Sequence, residues 1–315
     1  MTAYQWCDLT VVTAIEFPEL MTARPGAAPS RTWQLSMATG RPPRARRRWF
    51  HRWRFPDGRR WVAFARDDAG YLLRFPALAD FYLRPDERTI ACYPAPGAPA
   101  HTIRHLLLDQ LLPLVAGGRD RLALHGSVVA TPAGAAMFLA GPGYGKSTLA
   151  ATLSHRGCPL LSDDCGLLVR GADSAFDAVP SYPGVRLAPD SIQHLYGAGA
   201  GGFTPVAHYT TKRRVTAEVP FRGTPVRLAR IYVMGERAEL EQASQVEIRV
   251  PVRRAALFDL LNYTFHLDVG HPPRIREAFE LAADVVAAHD IRHLVFPWAL
   301  ANADAIADAI LADLA

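Results

Sequence analysis

The sequence predicts an α/β fold built on a strand, a glycine-rich loop and a helix, with a smaller β-rich lobe in front of it. Three observations carry this. The apolar run Ala135 to Ala140 leads directly into Gly141-Pro142-Gly143-Tyr144-Gly145 and then into a helix-compatible stretch that begins Lys146-Ser147-Thr148. Sixteen residues after Ser147, the apolar segment Pro159-Leu160-Leu161-Ser162 runs into Asp163-Asp164, a spacing with room for one helix and one turn. Residues 1 to about 100 instead alternate short apolar runs with turn signals such as Pro56-Asp57-Gly58 and Pro94-Ala95-Pro96-Gly97.

The elements follow in order. His101 to Ala116 has helical apolar spacing and stops at Gly117-Gly118, so residues 1–118 form the β-rich lobe with its connecting helix, and 119–315 form the α/β domain. Leu122 to Ala130 and Ala135 to Ala140 flank a four-residue turn, Thr131-Pro132-Ala133-Gly134, and read as a β-hairpin. Pairing Ala130 with Ala135 sets His125 opposite Ala140, beside the glycine loop. Ser147 to His155 continues as a helix to Gly157, and the strand ending in Asp163-Asp164 is the parallel partner in one βαβ step. Both aspartates then reach the sheet edge that carries the loop. Further on come a Pro/Gly-rich stretch (179–189), a glycine cluster (Gly197 to Gly202) and a strand near 228–234. Helices near 253–262 and 273–289, a strand near 293–296 and a last helix near 302–314 complete the chain.

Composition bounds the class. With 315 residues, half of them hydrophobic, the chain can bury two cores. The greasiest stretch, His105 to Ala116, is interrupted by Asp109 and Gln110, and the first twenty residues lack a cationic start before an apolar run. Neither a membrane span nor an export signal is predicted, and the cytoplasm is the expected location. Cys7, Cys92, Cys158 and Cys165 lack zinc-ligand spacing and read as buried reduced thiols. Of 35 basic residues only Lys146 and Lys212 are lysines. A chain so biased to arginine keeps lysine where a compact ammonium on a flexible stem is needed, which draws Thr211-Lys212-Arg213-Arg214 into the candidate site beside chance survival as the alternative.

The strongest chemical signal is the pattern GxxxxGK[ST], matched from Ala140 to Thr148 except that Ala140 replaces the first glycine. Backbone N–H groups of such a turn converge on phosphate oxygens, and the following helix adds its dipole. Ala140, Gly141, Pro142, Gly143, Tyr144, Gly145, Lys146, Ser147 and Thr148 are therefore predicted to hold ATP, with Lys146 on the outer phosphates and Ser147 on Mg²⁺. One of Asp163 and Asp164 would bind Mg²⁺, directly or through water, and the other would accept the proton of an incoming hydroxyl. Ser147 and Asp163 are the first choice for the metal, although the sequence leaves the two aspartate roles exchangeable. His125 is either a satisfied core histidine or a residue that orients the acidic group or touches the γ-phosphate. The glycine cluster before Lys212 suits a lid, from which Lys212 or Arg213 would reach the γ-phosphate or the acceptor. Arg44-Ala45-Arg46-Arg47-Arg48-Trp49-Phe50-His51-Arg52-Trp53-Arg54 reads as a solvated strand edge, with a docking surface for an acidic partner as the sharper alternative; nucleic acid is not the expected partner.

At Leu124-His125-Gly126-Ser127, Ala140 to Thr148 and Leu161-Ser162-Asp163-Asp164, the sequence resembles the catalytic domain of HPr kinase/phosphorylase and its smaller relatives. The likeness spans about residues 120 to 300 and includes Leu294-Val295-Phe296-Pro297 before a final helix. It implies a P-loop kinase domain of the HPr kinase and phosphoenolpyruvate carboxykinase-like type, with ATP and Mg²⁺ as cofactors. It further implies phosphorylation of serine by His125, Lys146, Ser147, Asp163 and Asp164. The signature that the regulatory enzymes carry after the Asp-Asp strand is replaced by Pro180-Ser181-Tyr182-Pro183-Gly184-Val185-Arg186, and residues 1–118 do not resemble their regulatory domain. The layout is closer to stand-alone relatives, some of which phosphorylate lasso-peptide precursors. The implied acceptor is thus a peptide or small protein, with a small-molecule kinase and a non-catalytic nucleotide switch as the other readings; assembly into a homo-oligomer stays open.

Overall fold

Two sheets organise the chain, each in its own unit. The computed structural model describes residues 1–23, 31–43, 46–55, 57–197 and 199–315. Arg44 and Ala45 of the arginine-aromatic segment, Pro56 of the first predicted turn and Ala198 of the glycine cluster lie outside the described residues.

The first unit comprises Met1–Leu111 and Asp268–Gly270. Its strands are β1 (Thr2–Trp6), β2 (Leu9–Thr13), β3 (Met21–Thr22), β4 (Thr32–Met37), β5 (Arg48–Arg54), β6 (Arg60–Arg66), β7 (Tyr71–Phe75), β8 (Ala79–Arg84) and β9 (Thr89–Pro94). They lie in the order β3-β1-β2-β4-β9-β8-β7-β6-β5. Strands β5 to β9 form an antiparallel meander, while β2 and β9 flank β4 in parallel. Trp6, Leu9, Leu35, Leu72, Phe81 and Leu83 fill the interior. The arginine-aromatic strand β5 ends the sheet, with Trp53 53% exposed and Trp49 beneath the guanidinium of Arg74. Asp268 is drawn into this unit by Arg66, 2.9 Å away.

The predicted connecting helix is interrupted. Helix α1 (Ala100–Leu106) passes through a π-helical turn, Leu107–Leu111, into α2 (Leu112–Ala116). Pro113 explains the irregularity, since its ring lacks an N–H and crowds the carbonyl of Asp109 four residues back. The second unit, Leu112–Leu267 with His271–Ala315, therefore begins at α2 rather than at the predicted 118/119 boundary, because α2 packs on the first strand of the second sheet.

That sheet contains β10 (Arg121–Leu124), β11 (Gly126–Thr131), β12 (Gly134–Leu139), β13 (Leu160–Ser162), β14 (Gly166–Arg170) and β15 (Phe176–Val179). A small separate sheet holds β16 (Val185–Leu187), β17 (Thr204–Pro205) and β18 (Arg213–Val215), in the order β16-β18-β17. Strands β19 (Val226–Met234), β20 (Glu247–Arg249) and β21 (Asp290–Val295) complete the main sheet. Its order is β10-β14-β15-β19-β12-β11-β13, with β21 also on β19 and β20 on β21. The helices are α3 (Lys146–His155), α4 (Pro189–Tyr196), α5 (Arg237–Gln242), α6 (Arg253–Asn262), α7 (Pro272–Ala288) and α8 (Ala303–Leu314).

Period-two alternation sorts the strands' apolar side chains into two cores. Val129, Phe138 and Tyr232 meet Leu149 and Leu153 of α3 and Ile306 and Ile310 of α8, whereas Val128, Met137, Leu139 and Ile231 meet Leu260 of α6 and Leu281 and Val285 of α7. Helices thus cover both faces of a mixed sheet, an α/β architecture.

Three local expectations need correction. The hairpin pairs Ala130 with Ala135 as counted, but the ladder continues to Thr131 and Gly134, so the turn is two residues long rather than four. Gly134 makes this possible at φ +129°, where a Cβ would come within 2.7 Å of the Arg227 carbonyl. The predicted strand 122–130 is two strands, broken at His125: β10 pairs with β14, and β11 with β12 and β13. Finally, β13 does not pair with β12. It runs parallel to it with β11 antiparallel between them, because the crossover helix α3 passes over one strand before the chain rejoins the sheet.

Gly126, next to the break, sits where a Cβ would lie 2.7 Å from both the Phe138 carbonyl and a Leu139 methyl. Gly126→Ala is expected to lower stability by about 1–3 kcal/mol, the usual range for overpacking, measured as a drop in the denaturant midpoint.

Candidate functional site

The site grows from the carboxyl ends of β12 and β13. After Leu139 the chain turns through Gly141–Gly145, with Gly143 at φ +86° and Gly145 at φ +84°, the left-handed region that favours glycine. Gly145 caps α3 by its backbone alone, and no side chain caps the helix N-terminus. Its first-turn N–H groups and dipole therefore face the loop. Ala140, the departure from the glycine pattern, is fully buried and has no positive φ, so a methyl group is accommodated there. Tyr144 packs edge-on against Trp298 at 6.0 Å, which holds the loop to the chain beyond β21.

Lys146 opens α3 and folds back over the loop. Its Nζ donates to the carbonyls of Ala140 at 2.8 Å and Gly141 at 3.0 Å, and to His125 Nε2 at 3.3 Å. His125 Nδ1 donates to the Asp164 carbonyl at 3.1 Å, which leaves Nε2 as the acceptor and makes the imidazole neutral. Burial, and then the Lys146 charge, push the His125 pKa down to about 4. Burial likewise lowers the Lys146 pKa to about 8, against the opposing pull of Asp164 and Asp163. The backbone N–H of His125 bonds the Tyr263 carbonyl at 2.7 Å, and Phe265 meets its ring edge-on at 5.9 Å. His125 thus sits at the strand break beside the loop, as the register predicted, with Lys146 as its partner.

The two aspartates have different surroundings. The Asp163 side chain has no exposure; Oδ1 accepts from Ser127 Oγ at 2.6 Å and from Ser147 Oγ at 2.8 Å. Oδ2 accepts from the Arg186 backbone N–H at 2.9 Å and from its Nε at 3.3 Å. Asp164 follows at φ +64°, a left-handed conformation that aspartate tolerates and that turns its carboxyl out of the strand line. That side chain is 22% exposed, with Arg186 Nε 3.1 Å from Oδ2. Arg186 itself is fully buried and donates to Tyr182 Oη at 2.7 Å and to the Asp163 carbonyl.

Lys212 directly precedes β18, and its charge adds a lesser contribution to the burial that lowers the Lys146 pKa. Arg213 lies on β18, where successive residues face opposite sides, so it is directed away from the face that Arg214 presents to Tyr182. Thr148 reaches Ser191 of α4 at 3.1 Å. Among the described residues, no helix is long and apolar enough to cross a membrane, and the four cysteines are buried without a disulfide between them.

Sequence reasoning left out Ser127 and Arg186. A visible signal existed for Arg186: it interrupts an apolar strand, Val185-Arg186-Leu187, in which all three residues are buried, and a buried guanidinium needs carboxylates. Ser127 offered none beyond its place two residues after His125.

No family model matches this chain, and no curated protein does. Among solved structures, one similar to it is the Hpr(Ser) kinase/phosphatase from Coxiella burnetii, 9% identical, with a TM-score of 0.32, covering 61% of this chain and 94% of that one. The α/β class stands on the sheet topology itself.

The His125 shift has a definite sign in stability. Its folded-state pKa lies below the unfolded value of 6.5, so the unfolded chain binds the extra proton first, and stability is lost as pH falls from 6.5 toward about 4. His125→Gln is expected to remove up to roughly 3 kcal/mol of that loss, seen as a flatter melting temperature against pH for the variant over this window.

Proposed function

We propose that the chain is an ATP-dependent phosphotransferase acting on a hydroxyl, with Asp164 as the proton acceptor. The observation that supports this most is the asymmetry of the aspartate pair: Asp163 is sealed and fully hydrogen-bonded, whereas Asp164 is partly exposed and turned out by its backbone. A general base must reach the hydroxyl it deprotonates, and only Asp164 is accessible.

The residues present fit both cofactors. The glycine loop and uncapped helix N-terminus offer N–H donors to phosphates, and Lys146 meets only neutral acceptors, so its charge remains available to an anion. Hard oxygen donors for Mg²⁺ lie together in Ser147 Oγ and Asp163 Oδ1, 2.8 Å apart. Since the Asp163 carboxylate already accepts four hydrogen bonds, it would hold Ser147 in place, and Ser147 and Asp163 together would hold Mg²⁺. When bound, ATP supplies the phosphoryl group and Mg²⁺ offsets the charge that develops on it.

The protein's own part is positioning. His125 fixes the Lys146 ammonium, Arg186 pairs with both aspartates, and Lys212 adds a further cation just ahead of β18. As the acceptor oxygen bonds to phosphorus and the bond to the leaving ADP oxygen breaks, the hydroxyl proton passes to the Asp164 carboxylate. The acceptor we propose is a serine of a peptide or small protein, a lasso-type precursor among them, on the resemblance at His125, the glycine loop and Asp163-Asp164.

Two variants test the reading. Lys146→Ala is expected to cut turnover by roughly 10²–10³, as removal of one preorganised donor does, with the fold retained. Asp164→Asn is expected to cut it by roughly 10²–10⁴ while ADP and Mg²⁺ still bind, whereas Asp163→Asn should weaken Mg²⁺-dependent ADP binding itself. Calorimetric titration of ADP, with and without Mg²⁺, beside transfer of labelled phosphate from ATP to a serine peptide, separates the two; undiminished turnover of Asp164→Asn would remove the base.

A further inference from the structure

We propose that Arg214, together with Lys212, forms a subsite for a phosphomonoester beside Asp163 and Asp164, where the phosphoryl group rests once it is on the acceptor. This rests on the phosphotransferase reading and extends it to residues outside the glycine loop.

Strands β16 and β18 pair so that Arg186 and Arg214 stand directly opposite each other. Like charges in that arrangement repel, and both side chains are buried. They flank the same ring, Arg186 at 5.7 Å and Arg214 at 5.1 Å from the Tyr182 centroid. Gly184, at φ +99°, lets Arg214 lie there, since a Cβ would come 3.3 Å from Arg214 Cγ and 2.7 Å from Thr216 Oγ1.

The charges of the pair are met unequally. Arg186 is discharged by two carboxylates. Arg214 is 9% exposed, its buried Nη1 meets no acceptor, and among the described residues its guanidinium makes no ion pair or hydrogen bond. A buried cation in that state costs several kcal/mol unless an anion joins it, and native folds keep such groups where a ligand supplies the partner. Lys212 lies two residues earlier, directly ahead of β18, and its ammonium likewise has no acceptor among the described residues.

Charge selects the ligand. Lys146, Arg186, Lys212 and Arg214 oppose only Asp163 and Asp164, which leaves two positive charges. A phosphomonoester carries between one and a half and about two negative charges near neutral pH, and its oxygens match the planar fork of arginine; a single carboxylate would leave one cation unmet. Arg214 belongs to the small three-stranded sheet and not to the loop that would hold nucleotide phosphates, so the two anion sites are separable by mutation.

The test is a calorimetric titration of inorganic phosphate into protein loaded with ADP and Mg²⁺, for wild type, Arg214→Gln and Arg214→Lys. Phosphate affinity is expected to fall at least tenfold in Arg214→Gln and by less in Arg214→Lys, with ADP affinity within twofold in both. Without ligand, Arg214→Gln should melt at or above the wild-type temperature, because an uncompensated buried charge has gone. Equal phosphate affinity in all three proteins would overturn the subsite, and so would ADP affinity that falls in step with phosphate affinity. A melting temperature lowered by more than roughly 4 °C in Arg214→Gln would assign the residue to packing and overturn it as well. If wild-type protein bound no ADP, the phosphotransferase reading would fall instead, and phosphate titrated into nucleotide-free protein would still decide the subsite.

Discussion

One carboxylate ties the second unit together at its chemical end. Asp163 follows β13 directly, and its four accepted hydrogen bonds come from Ser127 on β11, Ser147 on α3 and the backbone and side chain of Arg186 on β16. Three separate elements are thus referenced to a single buried group. An ionised carboxylate without exposure is tolerable only when fully hydrogen-bonded and paired, and here each lone-pair direction has a donor and a guanidinium supplies the counter-charge. The same bonds dictate where the glycine loop ends, because Ser147 is the second residue of the helix that follows it.

That dependence explains how the neighbouring residue can take a different backbone conformation. With Asp163 holding the frame, Asp164 can leave the strand in a left-handed conformation, a strain of order 1–3 kcal/mol that a looser surround would relax. The His125 ring is held from the same stretch of backbone, through the Asp164 carbonyl, and passes that order on to Lys146. The turned-out carboxyl and the histidine that holds the loop lysine are therefore both referenced to one residue, Asp164.

Much of this was legible because it is local. A strand, a glycine turn and a helix are written in consecutive residues, and antiparallel counting from Ala130 and Ala135 set His125 one step past the Gly126–Leu139 pair, beside the loop. What failed was neighbour order. Nothing in Leu160-Leu161-Ser162 says that β11 lies between it and β12, since either arrangement buries the same apolar side chains. The break at His125 was hidden for a related reason: β10 and β11 are both apolar, and only their different partners, β14 and β12, separate them. The π-helical turn before Pro113 could have been anticipated from the proline alone. Arg186 lies twenty-three positions from Asp163 and joins it through a tertiary contact, yet its burial inside an apolar strand was a readable anomaly.

The distribution of charge gives the site its direction. Both carboxylates are engaged by Arg186, while Lys146, Lys212 and Arg214 meet neutral acceptors or none among the described residues. If the cations were also paired internally, an incoming anion would have to break ion pairs before forming its own, and the gain would nearly cancel. Leaving them unpaired costs stability in the empty protein, visible in the lowered Lys146 pKa, and returns it when an anion binds. A neutral histidine is the acceptor that suits this arrangement: a carboxylate in its place would hold Lys146 more tightly but cancel the charge that the lysine is there to present. Burial keeps that imidazole neutral down to about pH 4, so it orients the loop lysine without adding a charge of its own.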